Sequence, residues 1–84
     1  MQKSYNGHRS WNAWNVSLWL NNDYDIYKQI FIFLDKYGLT KTINLIYLQL
    51  KGCKTPDGAI YNKLSIKLAI KGMIEQWKNF LIIL

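Results

Sequence analysis

Cysteine, proline and histidine each occur once in these 84 residues, as Cys53, Pro56 and His8. A lone cysteine closes no intrachain disulfide, which excludes a disulfide-stapled scaffold and fits a reducing cytoplasm. Lys51 and Lys54 flank Cys53, yet no His/Asn constellation stands ready to use it. One histidine and one cysteine also leave no box of metal ligands. Acidic residues are scarce, five in all, and Asp23 and Asp25 are the close pair. Two apart at a helix start, they point in different directions, which suits capping and the helix dipole better than shared acid–base work. No phosphate-cradling G-x-x-x-x-G-K-S/T and no nucleophile elbow is present. Catalysis needs convergent groups, so the expectation is a protein that is not an enzyme and carries no cofactor or metal.

Long apolar runs are lacking as well. "FLIIL" at the C-terminus has five residues, far short of the roughly 18 that a membrane-crossing helix needs. The N-terminus is polar, so no signal peptide is expected. These features predict a cytoplasmic protein with no membrane partner, in the host-cell cytoplasm if the protein is viral.

What is present is apolar bulk and positive charge. Half of the residues are hydrophobic and 15% are aromatic, enough for one core in one domain spanning 1–84. Eleven Lys+Arg stand against five Asp+Glu, a net charge of +6, and all but Arg9 of the eleven are lysines. Such a surface favours nucleic acid, an anionic membrane or an acidic protein. Abundant Lys, Asn and Ile also match the coding bias of an AT-rich genome, so the charge has a compositional account beside a functional one.

The chain reads as mainly α, a compact bundle of about four helices. Residues 1–9 are polar, contain Gly7 and predict an irregular N-terminal arm. Ser10 is a helix N-cap, and the first helix runs from Trp11 to about Asn21. Asn21, Asn22 and Asp23 end it and cap the next. The second helix spans Tyr24 to Tyr37, with Ile26, Ile30, Leu34 and Tyr37 at helical spacing beside Tyr27 and Phe31. Gly38 follows, where a left-handed residue ends a helix without a Cβ penalty. Thr40 caps the third helix, whose stripe is Ile43, Ile46, Tyr47 and Leu50 and which Gly52 closes. Thr55-Pro56-Asp57-Gly58 is a strong turn, and the segment 52–62 leaves room for a short strand or hairpin. In the final stretch Leu64, Ile66, Leu68 and Ile70 alternate like a strand. The longer window favours a helix with Ile66, Ile70, Met73, Ile74, Trp77 and Leu81 on one face, weakened at Gly72 by about 1 kcal/mol.

The first helix carries Trp11, Trp14 and Trp19 with Asn12 and Asn15 among them. At 100° per residue Trp11, Trp14 and Leu18 share one face, and Val16, Leu20 and Ala13 share nearly the opposite one. Two apolar faces predict a buried central helix. Asn12, Asn15 and Trp19 lie in the stripe between. Buried amides need partners, since an unsatisfied one costs about 1–3 kcal/mol. One reading has Asn12 and Asn15 tying the arm and the helix 2–3 connection to the core. The other makes Asn12, Asn15, Trp19, Arg9 and His8 a recognition patch, with indoles to stack and amides to read base edges or peptide backbone.

The stretch from Ser4 to Asp23 is similar to the opening of a small family of proteins of unknown function, mostly encoded by bacteriophages and other mobile elements. The resemblance rests on Ser10, Trp11, Trp14, Asn15, Val16, Leu18, Trp19, Leu20, Asn22 and Asp23, with Tyr27 beyond them. A T-P-D-G turn before a final helix matches Thr55, Pro56, Asp57 and Gly58. The resemblance implies a small domain in a phage setting. This chain departs from it in charge, with Lys63, Lys67, Lys71 and Lys78 where the relatives are acidic.

Those four lysines fall within about 80° of one another on the last helix. They read either as a solvated face whose stems cover apolar edges or as a ridge that tracks a phosphate backbone or an acidic groove. Lysine in place of arginine favours general attraction over base-specific readout. The tyrosines, with Trp77, add more amphipathic rings than a small core hides, and such rings are enriched at protein interfaces.

The favoured expectation is a stoichiometric inhibitor of a host defence nuclease or effector, of anti-CRISPR or anti-restriction type. It would grip a host protein or ribonucleoprotein through Arg9, Asn12, Asn15, Trp19, Lys63, Lys67, Lys71 and Lys78. The alternatives are a nucleic-acid-binding regulator that uses the lysine stripe, and an assembly protein that forms a homodimer through the C-terminal helix.

Overall fold

The computed structural model describes residues 10–83, with side chains described as far as Asn79. Four α-helices stand among them: α1 Trp11–Asn22, α2 Tyr24–Tyr37, α3 Leu39–Leu50 and α4 Lys63–Ile83. Local chemistry sets their starts. Ser10 accepts a hydrogen bond from the Ala13 amide at 3.1 Å. Asp23 accepts from the Ile26 amide at 3.2 Å, and Asn62 from the Ser65 amide at 2.8 Å. Each cap satisfies a donor that the helix leaves open.

α3 differs from the other three. Its N-cap is Gly38, which has no side chain to offer, so Thr40 is not the cap that the sequence predicts. One residue joins α2 to α3, and the helix has already begun at Leu39. That single joint needs a positive φ, and Gly38 supplies it at 83°.

The core draws on every element: Val16 and Leu20 from α1, Ile30 from α2, Ile43 and Ile46 from α3, Ala59 from the α3–α4 connection, and Ile66, Ala69, Ile70 and Met73 from α4. α4 packs mainly on α1 and then on α3, while α2 packs on α3 and α1. Burying one such aliphatic side chain contributes about 1.5–3 kcal/mol. The final stretch is therefore the helix that the longer window favours, because its 3.6-residue face fits this core.

α1 is not the doubly buried helix that its pattern predicts. Ala13, Val16 and Leu20 are buried, but Trp11 and Leu18 on the other face are 40% and 37% exposed. With four helices around one core, α1 has neighbours on one side only among the described residues.

The segment 52–62 doubles back without forming a strand. A single antiparallel bridge joins Lys54 to Ile60. The Gly58 amide donates to the Thr55 carbonyl and the Thr55 amide to the Ala59 carbonyl, both at 2.9 Å. Gly58 takes φ of 97°, which its lack of a Cβ permits. The result is a miniature hairpin with Thr55-Pro56-Asp57-Gly58 at its tip.

Candidate functional site

Two sets of polar side chains stand out from the packing. The first runs along α1. Positions 12, 15 and 19 lie on one stripe of a helix, because they are three and four apart. That stripe faces the hairpin. Asn15 Nδ2 donates to Asp57 Oδ2 at 2.8 Å, and Trp19 Nε1 donates to the same oxygen at 2.9 Å. Thr55 Oγ1 donates to Asn15 Oδ1 at 2.6 Å and accepts from the Ala59 amide at 2.9 Å. Asn12 Oδ1 accepts from the Ile60 amide at 2.8 Å, while Asn12 Nδ2 donates to the Ile60 carbonyl at 2.9 Å and to Ser65 Oγ at 2.8 Å. Asn12 thus pairs with Ile60 as a neighbouring strand would.

This arrangement is a latch. Asn15, Thr55 and Ser65 are buried polar residues, and each has a partner. Satisfied in this way, a buried amide costs little; unsatisfied, it costs about 1–3 kcal/mol. The Asp57 carboxylate is exposed. Hydrogen bonds from Asn15 and then Trp19 hold its pKa below the ordinary value, against a smaller opposing push from desolvation.

The latch corrects one expectation. Asn12 and Asn15 tie down the α3–α4 connection, not the helix 2–3 connection, which is the single residue Gly38. Arg9, His8 and the rest of the N-terminal arm lie outside the described residues. The amides of Asn12 and Asn15 and the indole N–H of Trp19 are used inside the chain, so these groups do not present a ready polar patch to a partner.

The second set lies between α3 and α4. Lys63, Lys67 and Lys71 are four apart, so they follow one face of α4 with a rise of about 6 Å between successive lysines. With Leu39, Thr40, Ile43 and Asn44 of α3 they line an open cleft of 380 Å³. Among the described residues no carboxylate lines it. Lys63 Nζ stands 5.3 Å from the centroid of the Tyr47 ring, a cation–π contact that ties α4 to α3. Lys67 and Lys71 are exposed. The α3 N-terminus, which no side chain caps, opens on the same cleft through Leu39 and Thr40, and its dipole adds to the positive field. Lys78 is exposed about two turns beyond Lys71 and does not line the cleft.

As cleft residues Thr40 and Asn44 leave no mark in the sequence: Thr40 carries a capping signal there, and nothing local distinguishes Asn44. Thr55, Asp57 and Ser65 escaped as partners of α1 for another reason. Turn chemistry accounts for Thr55 and Asp57 locally, which hides their second role. Among the described residues no three His, Cys, Asp or Glu side chains come together to hold a metal ion. No helix of the described residues is long and apolar enough to cross a membrane.

The chain belongs to a family of unknown function (DUF7249), which it matches over residues 1–79. No curated protein and no solved structure matches it.

Proposed function

We propose that this member of a family of unknown function is a small, basic, non-enzymatic binding protein that grips a nucleic-acid phosphate backbone through the α3–α4 cleft. One observation carries the reading: Lys63, Lys67 and Lys71 line one cleft that holds no carboxylate among the described residues. A solvated lysine face would need no cleft. An ammonium row beside an uncapped helix N-terminus is an electrostatic fit for successive phosphates. Lysine attracts phosphate without base-specific geometry, so the grip is general.

The phage setting implied by the Trp/Asn and T-P-D-G stretches gives this grip a use. The protein acts stoichiometrically on a host defence nuclease or effector, covering guide RNA or the nucleic acid that the effector must reach. Because the chain is basic, it does not mimic DNA. The lysine cleft, and not the α1 stripe, is the surface that this reading assigns to the partner.

The test is a fluorescence-anisotropy titration of labelled RNA and DNA across a range of salt. The expected result is affinity that falls linearly on a log–log scale, with a slope of about −0.7 to −0.9 per phosphate contact. Charge reversal at Lys67 and Lys71 should flatten that slope. Absent or salt-insensitive binding overturns the reading.

A further inference from the structure

α2 begins with Tyr24, Tyr27, Lys28 and Phe31. At spacings of three, four and seven these residues share one side of the helix. Trp77 of α4 comes to meet them, and the five together line an open groove of 340 Å³. The Tyr27 and Phe31 rings stand 5.0 Å apart and tilted by 53°; Phe31 and Trp77 stand 6.2 Å apart and tilted by 60°. The inner rings pack on the core, but Tyr24 is 72% exposed and Trp77 49% exposed. The charged residue of the lining is Lys28, whose Nζ lies 5.9 Å from the Tyr24 ring centroid.

We infer that this groove takes an unpaired nucleobase, so that the protein prefers single-stranded RNA or DNA to duplex. The inference rests on the backbone-binding reading above and names its substrate class. A groove walled by aromatic faces offers stacking, and each nucleobase has a face to stack. In a duplex those faces are already covered by neighbouring pairs, and only edges remain to be read. Among the described residues the lining supplies tyrosine hydroxyls and one ammonium, with no amide to pair with a base edge, so the groove accepts any base. The charge fits the same ligand. Lys28 sits on the rim where a nucleotide carries its phosphate, and Lys78 follows Trp77 directly on α4. Farther back along that helix are Lys71, Lys67 and Lys63 of the cleft. A single strand lying along α4 meets ammonium groups along its backbone and a stacking platform toward one end.

The experiment compares the full chain with labelled oligouridylate, oligothymidylate and a mixed-sequence duplex of equal length, by anisotropy at fixed salt. The single strands are expected to bind roughly tenfold more tightly than the duplex. Trp77→Leu should lower single-strand affinity by a similar factor and leave duplex affinity and the salt slope unchanged. Tyr24→Ala, at a position that is mostly solvent-exposed, should act in the same direction even if Trp77→Leu disturbs the fold by circular dichroism. Equal affinity for single strand and duplex, with both variants silent, overturns the groove assignment and leaves the lysine cleft standing. Loss of all oligonucleotide binding in the unmodified chain overturns both, which separates the two failures.

Discussion

The latch and the lysine cleft are built from similar material to opposite effect. Each takes polar side chains at helical spacing on one helix and sets them against a neighbouring element. In the latch the two asparagine amides, the Trp19 indole and the Thr55 hydroxyl find partners within the chain, with Asn12, Asn15 and Trp19 closing on the 54–60 hairpin. In the cleft Lys67 and Lys71 face solvent, and the α3 N-terminus beside them lacks even a capping side chain. One region uses its polarity for stability, and the other keeps it available. Residue type alone does not separate them, because asparagine and tryptophan are recognition residues as often as lysine is. What separates them is whether the element opposite carries complementary groups.

Breaking either side should therefore give opposite phenotypes. Asn15→Ala removes both arms of the latch's central amide and leaves the buried Thr55 hydroxyl without its acceptor. It should destabilise the protein by about 3 kcal/mol, a fall in Tm on the order of 15 °C by calorimetry, with unchanged affinity per folded molecule. Reversing charge at Lys67 and Lys71 together should do the converse. Oligonucleotide affinity should drop roughly a hundredfold at low salt, while stability by urea titration stays within about 0.5 kcal/mol.

A third substitution sharpens the contrast because it touches neither region. Thr42 is fully buried on α3, and its hydroxyl finds no partner among the described residues. Thr42→Val keeps the shape and removes the unsatisfied group, so it should raise stability by about 1 kcal/mol, read from the midpoint of urea unfolding.

The smallest effect is a pH dependence confined to the latch. The Asp57 carboxyl is held below its ordinary value of 3.8 by Asn15 and Trp19, so the folded chain binds its proton less readily than the unfolded chain does. Its contribution is fully present above the unfolded value and fades as pH falls through the folded one. Asp57→Asn should remove that part of the acid dependence, visible as a shallower loss of Tm below about pH 4.

The helices were legible because their signals are local. Ser10 and Asp23 cap where capping chemistry says they should, and the apolar faces of α2, α3 and α4 recur at 3.6 residues. Thr40 was misread because the one-residue joint at Gly38 left no room for a capping side chain, and joint length is a tertiary matter. The two-faced pattern of α1 overstated its burial for a similar reason, since a wheel counts apolar residues and not neighbours. At the site, the lysine stripe was legible as a stripe. That it borders a cleft depended on α3 arriving beside it. The asparagines were legible as amides in need of partners, but the partners lay 40 to 53 residues away. Asn15, Trp19, Thr55 and Asp57 all fall on the two stretches that carry the family resemblance, so those stretches are the halves of one latch.

The latch also sets an order of events during synthesis. Chains emerge N-terminus first, and local helical contacts form quickly while distant ones wait. α1 is the first described helix to be made, yet its latch partners Thr55, Asp57, Ile60 and Ser65 lie far along the chain. While α2 and α3 are being added, Asn12 and Asn15 lack these partners. α1 is thus completed only when the hairpin and the first turn of α4 have appeared.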